Sequence, residues 1–225
     1  MSASVAPSRL VARPRADAGS RVATGTFQLA GGALLEVPPA AAKGEPCPLL
    51  VLFHGAGSSA ASALALFAEQ ADDADVMLLA PSSAGSTWDV IERGFGVDVN
   101  RLDRALTSVF ATCPVDASRV VFGGFSDGAS YALSLGIDNG DLARHLVAFS
   151  PGFAAPADPH GKPRILVTHG IHDTVLPIDR CSRRLVPRLR RAGYDVTYEE
   201  FDSGHLVAPE LARRALRWLD GHRAA

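Results

Sequence analysis

Cysteine is scarce in this 225-residue chain, and Cys47, Cys113 and Cys181 are far apart and odd in number. That spacing offers no zinc-ligand pair, no redox motif and no disulfide framework. The simplest expectation is buried or free thiols in a reducing compartment, hence a cytoplasmic protein. Charge of one sign is lacking too: 22 basic residues stand against 24 acidic ones, for a formal net charge of -2. With no basic stripe along the chain, there is no electrostatic case for nucleic acid as a partner. No apolar run is long enough to span a bilayer, and none of signal-peptide length follows Arg9, Arg13, Arg15 and Arg21. Repeats and domain linkers are lacking as well. Residues 1–22 are expected to be a flexible tail, and 23–225 a single domain.

What is present is apolar residue, at 47% of the chain, enough for a large core. It comes in short blocks. Leu49–Phe53 is apolar at every position, as suits a parallel strand buried on both faces. Thr26–Ala30 and Ala33–Val37 flank Gly31-Gly32 and predict a β-hairpin. Further strands are expected at Val76–Ala80, within Arg119–Phe125, at Leu146–Phe149 and Ile165–Thr168, and at Val196–Phe201, where Glu199 and Glu200 suggest an edge. Helical spacing separates them, through Leu64 and Phe67, through Val99–Phe110, after Phe125, around Leu185 and Leu189 with Pro187 as a kink, and from Pro209 to Leu219. Strands alternating with helices imply an α/β fold, with a mostly parallel central sheet and helices on both faces. The stretch between Phe149 and Ile165 is a Pro/Gly/Ala loop too short for a large cap domain.

Gly124-Phe125-Ser126-Asp127-Gly128 matches G-x-S-x-G. The pattern alone is weak, but it falls where a β-run ends and a helix begins, as a nucleophile elbow requires. Flanking glycines let the chain turn sharply and leave Ser126 exposed, with the N-terminus of the next helix aimed at a forming oxyanion. A second glycine-rich turn, His54-Gly55-Ala56-Gly57-Ser58, follows the first buried strand. Ester hydrolysis places negative charge on the carbonyl oxygen, which two preorganised N–H donors stabilise best. Asp127 is expected to supply one, and Ala56 the other, with Gly57 as runner-up.

The order nucleophile, acid, base then directs attention downstream. Asp173 lies just after the Ile165–Thr168 strand and His205 just after the Val196–Phe201 strand, so both stand at strand C-terminal ends, where functional groups of such sheets collect. His145 precedes a strand, at the wrong end, and His222 lies in the C-terminal tail. His169 and His172 are on the right side but leave no acid in a suitable loop. Asp202 is a rival acid only three residues from His205, and Asp179 is expected to cap the helix near residue 180. Trp88, in a loop after a strand, is expected either to line the substrate pocket with Gly57 or to pack in the ordinary way.

Together these residues resemble the phospholipase/carboxylesterase branch of the α/β-hydrolase superfamily, and also polyhydroxyalkanoate depolymerase and feruloyl esterase domains. The resemblance runs through Leu52–Gly57, Ser118–Ala129, His169–Pro177 and Gly204-His205, in the family's order. It implies the α/β-hydrolase fold, a Ser126–Asp173–His205 triad and oxyanion donors at Ala56 and Asp127. Several members carry Gln after the nucleophile where this chain has Asp127. The expected activity is a serine carboxylesterase working through an acyl-enzyme on small or medium esters, with no metal or organic cofactor. A small-molecule ester is its expected partner. Thioesterase or lysophospholipase action by the same residues is the first rival, and a non-catalytic binding protein of the same fold the second.

Overall fold

The computed structural model describes residues 7–15, 22–67, 71 and 74–220. Its centre is an eight-stranded sheet in the order β1-β2-β4-β3-β5-β6-β7-β8. The strands are β1 (Gly25–Gln28), β2 (Leu34–Val37), β3 (Cys47–Phe53), β4 (Met77–Ala80), β5 (Val115–Phe125), β6 (His145–Phe149), β7 (Arg164–Gly170) and β8 (Val196–Phe201). The β1–β2 and β2–β4 pairings are antiparallel, and every other pairing is parallel. The helices are α1 (Pro39–Ala42), α2 (Ala60–Ala65), α3 (Asp89–Glu92), α4 (Val97–Thr112), α5 (Asp127–Asp138), α6 (Ser182–Arg191) and α7 (Pro209–Asp220).

The uninterrupted apolar run of β3 is explained by cover on both sides. Leu49, Val51 and Phe53 join one core with residues of α4, α5 and α6, while Leu50 and Leu52 join a second with residues of α2 and α7. The central strand β5 divides in the same way, Val120 and Phe122 to the first core and Val121 to the second. A strand whose successive side chains point to opposite faces must be apolar throughout when helices cover both faces. β8 lies at the sheet edge, as its acidic residues implied. Its glutamates pair with the helices on either face, Glu199 with Arg214 of α7 at 2.7 Å and Glu200 with Arg183 of α6 at 2.6 Å. Residues 150–163 form no helix and no strand, so no large cap stands over the sheet.

Two expectations need correction. The first 22 residues are not all a loose tail: within 7–15, Ser8, Leu10 and Ala12 are buried. Asn139 holds this segment, its Oδ1 accepting the Leu10 N–H at 2.9 Å and its Nδ2 donating to the Ser8 carbonyl at 2.8 Å. Asp103 accepts the N–H groups of Val11 and Ala12, and Arg9 and Arg13 pair with Asp141. A segment with one buried leucine and no repeat carries no periodic signal, so its docking cannot be read from its own composition. Asp179 makes no cap; it pairs with Arg183 at 2.8 Å, and Cys181 stands at the cap position.

Candidate active site

β5 ends at Phe125 and α5 begins at Asp127, leaving one residue for the reversal. Ser126 makes it with φ 58° and ψ -121°, a strained backbone for a residue with a side chain. The strain is held by crowding. A Cβ at Gly128 would lie 2.0 Å from the Phe53 carbonyl oxygen, and one at Gly124 would lie 2.4 Å from Gly128. Only glycine lets α5 start this close to β3. The Ser126 N–H donates to the Phe149 carbonyl at 2.9 Å, which ties the elbow to β6.

His205 stands between the other two candidates. Its Nε2 accepts from Ser126 Oγ at 2.9 Å, and its Nδ1 donates to Asp173 Oδ2 at 2.6 Å. The Phe125 ring packs on the imidazole at a centroid distance of 4.6 Å. Asp173 is buried, and its other oxygen accepts the N–H groups of Val175 at 2.9 Å and Leu176 at 2.8 Å. Burial pushes this carboxyl up, but the bonds from His205, Leu176 and Val175 outweigh it and hold Asp173 below its ordinary value. The loops that carry Asp173 and His205 are brought together at Gly170, where a Cβ would meet the Gly204 carbonyl at 2.3 Å. Asp202, the rival acid, faces away, bonded to the exposed His172 at 2.8 Å.

A fully buried neighbour, His169, was passed over in the sequence as a candidate base without a suitable acid. Its Nε2–H donates to the Leu176 carbonyl at 2.8 Å and lies 3.3 Å from Asp173 Oδ2, while Nδ1 accepts from Ser182 Oγ at 2.6 Å. Burial is the largest influence on this imidazole and depresses its pKa, so the ring is neutral at neutral pH. His169 therefore braces the Asp173 turn from behind. Its position four residues before Asp173 was the available signal.

The Ala56 N–H takes part in no hydrogen bond among the described residues, and the Asp127 N–H, opening α5, has no acceptor within the helix. The Gly57 N–H, by contrast, is bound to the Ser86 carbonyl at 2.7 Å. His54 braces the loop: its Nε2 accepts the Ser83 N–H at 3.1 Å, and its carbonyl accepts Trp88 Nε1–H at 2.8 Å. The pocket role expected of Trp88 and Gly57 is corrected, because neither residue walls the cavity beside Ser126. Trp88 is 1% exposed, stacked on Tyr131 and edge-on to Phe53, so its indole is core. The cavity beside Ser126, about 400 Å³, is walled instead by Ala56, Ala63, Leu66, Phe125, Val175 and His205. The Asp127 carboxylate accepts from Thr87 Oγ1 at 2.6 Å, a long-range bond that no local pattern announces.

Residues 90–222 match the family model described as Phospholipase/Carboxylesterase, more than half of the chain. The chain belongs to the phospholipase/carboxylesterase family. This family member is an ester-hydrolysing enzyme, and the matched span contains Ser126, Asp173 and His205 but not the His54–Ser58 turn. Similar solved structures include esterase PE8, 24% identical with a TM-score of 0.66 over 89% of this chain and 99% of that one. TT1662 from Thermus thermophilus is 21% identical, with a TM-score of 0.66 over 91% and 100% of the two chains. An S-formylglutathione hydrolase from Staphylococcus aureus is 15% identical, with a TM-score of 0.69 over 86% and 96%. At these identities the likeness carries the α/β-hydrolase fold. No curated protein matches the sequence. Among the described residues no helix is long and apolar enough to cross a membrane, and no cluster of side chains could hold a metal ion.

Proposed function

We propose that this family member is a serine carboxylesterase in which Ser126 is the nucleophile, His205 the base and Asp173 the acid. The observation that carries the reading is the single imidazole bonded at once to Ser126 Oγ and Asp173 Oδ2. Nε2 of His205 takes the Ser126 proton as Oγ attacks the ester carbonyl. The tetrahedral oxyanion is held by the N–H groups of Ala56 and Asp127, both free to donate. The same Nε2 returns the proton to the departing alcohol, leaving an acyl-enzyme, and a water molecule then repeats the sequence to release the acid. Asp173 fixes the proton on Nδ1 and stabilises the imidazolium as it forms.

The open site supports small or medium soluble esters as substrates, because Ser126 is reached through a cavity without a cap above it. The three unpaired, buried thiols support a cytoplasmic setting. A p-nitrophenyl ester series of increasing chain length, with the matching thioesters, tests the assignment. Turnover is expected to be highest on the shorter esters, and Ser126→Ala is expected to remove fluorophosphonate labelling and lower kcat by several orders of magnitude while the fold is retained. Full activity in that variant would overturn the assignment, and faster turnover of thioesters would move the substrate class.

A further inference from the structure

A second cavity, of about 380 Å³, lies between α6 and the loop that follows β6. It shares no wall with the cavity beside Ser126. Its floor is apolar, built from Ile137, Phe153, Leu185 and Leu189. Its size falls in the range of small-molecule sites, about 300–1,000 Å³. One side is lined by Arg180, Arg184 and Arg188 at intervals of four residues, so Arg184 and Arg188 fall on one face of α6. No carboxylate lines the cavity. Arg183, which turns away from it, is held by Asp179 and Glu200, whereas none of the three lining arginines has a carboxylate partner among the described residues. Arg184 and Arg188 on α6, with Arg180 just before it, thus set guanidinium groups that no carboxylate neutralises beside an apolar trough.

We propose that this groove binds an amphipathic carboxylate, a fatty acid with its chain along Phe153, Leu185 and Leu189 and its head on Arg184 and Arg188. A guanidinium presents paired N–H donors that match a carboxylate fork, and an alkyl chain satisfies a trough with few polar atoms. Both features are needed: a short carboxylate lacks the chain, and a long alcohol lacks the charge. Because the guanidinium groups sit at the rim, binding weakens as ionic strength rises.

Calorimetric titration of the full chain with decanoate below its micelle concentration tests this, with butyrate and decanol as controls. Decanoate is expected to bind at least tenfold more tightly than either control. Arg184→Gln with Arg188→Gln, or Ala192→Trp at the groove wall, is expected to weaken decanoate at least tenfold, while hydrolysis of p-nitrophenyl acetate by both variants stays at the wild-type rate. Circular dichroism establishes that the variants are folded. Decanoate binding that survives both variants, decanol binding as tight as decanoate, or no decanoate binding at all would each overturn the proposal.

Discussion

On the proposed mechanism, the side chain and the backbone of Asp127 have separate tasks. The carboxylate is engaged by Thr87 Oγ1, away from the free N–H of the same residue. A negative charge at the first turn of a helix is favourable, while charge beside a developing oxyanion is not. Asp127→Gln and Thr87→Val are therefore expected to keep most activity with a slightly lower melting temperature. Asp127→Pro, which has no N–H, is expected to lose about 100- to 1,000-fold in kcat while remaining folded by circular dichroism. A hundredfold loss in Asp127→Gln would instead assign the carboxylate a part in the chemistry. His169 makes a parallel case one step further from the serine. His169→Phe leaves Ser182 Oγ and the Leu176 carbonyl without their partner and frees the Asp173 turn. A fall in kcat of about 10- to 100-fold is expected, with KM nearly unchanged and part of the rate restored in His169→Gln. A merely structural role would instead lower thermal stability and leave kcat per folded molecule intact.

Among the elements, the buried strands and the elbow were legible because one local property dictated each. Leu49–Phe53 could be assigned from its unbroken apolar character, and Ser126 from a glycine-flanked turn between strand and helix. The edge position of β8 followed from Glu199 and Glu200. The features that escaped depend on distant partners. Trp88 looks like a loop residue until Phe53, Tyr131 and the His54 carbonyl surround it. The four-residue α1 and α3 are too short to show a period. The turns on either side of α3 are held by two carboxylates: Asp98 accepts the Ala84 and Asp89 N–H groups, and Asp89 accepts those of Gly96 and Asp98. The glycines join loops that are far apart in sequence, and Gly170 is the cleanest test. A methyl group there must push the Asp173 loop away from the His205 loop. Gly170→Ala is expected to lower kcat about a hundredfold, with far-ultraviolet circular dichroism unchanged; wild-type kinetics would show that the two loops part without cost.

For the whole molecule, the N-terminal segment is a strap across the side of the domain rather than an appendage. Asp141 is its anchor: hydrogen bonding from Arg9, ahead of the opposing effect of burial, and then Arg13 lower its pKa to about 2. The folded value lies below the unfolded one, about 3.9. The contribution of this pair is therefore complete above the unfolded value and is lost as pH falls toward the folded one. Denaturant titrations from neutral to acid pH are expected to show wild type losing stability relative to Asp141→Asn below about pH 4. Parallel curves would mean that the strap draws nothing from this carboxylate.

His205 lies in the loop that follows β8, a strand with a partner on one side only, whose two glutamates pair with Arg183 on α6 and Arg214 on α7. Ser126, at the end of a central strand, is guarded from both sides. An edge strand opens locally at a lower free energy than the sheet as a whole. On the proposed mechanism the molecule should accordingly pass, on warming, through an interval in which it is still folded but idle, Ser126 in place and His205 withdrawn. Ester turnover is expected to fall several degrees before the circular dichroism transition and to return on cooling, with Glu199→Gln and Glu200→Gln widening the gap; coincident curves would mean that the edge melts only with the centre.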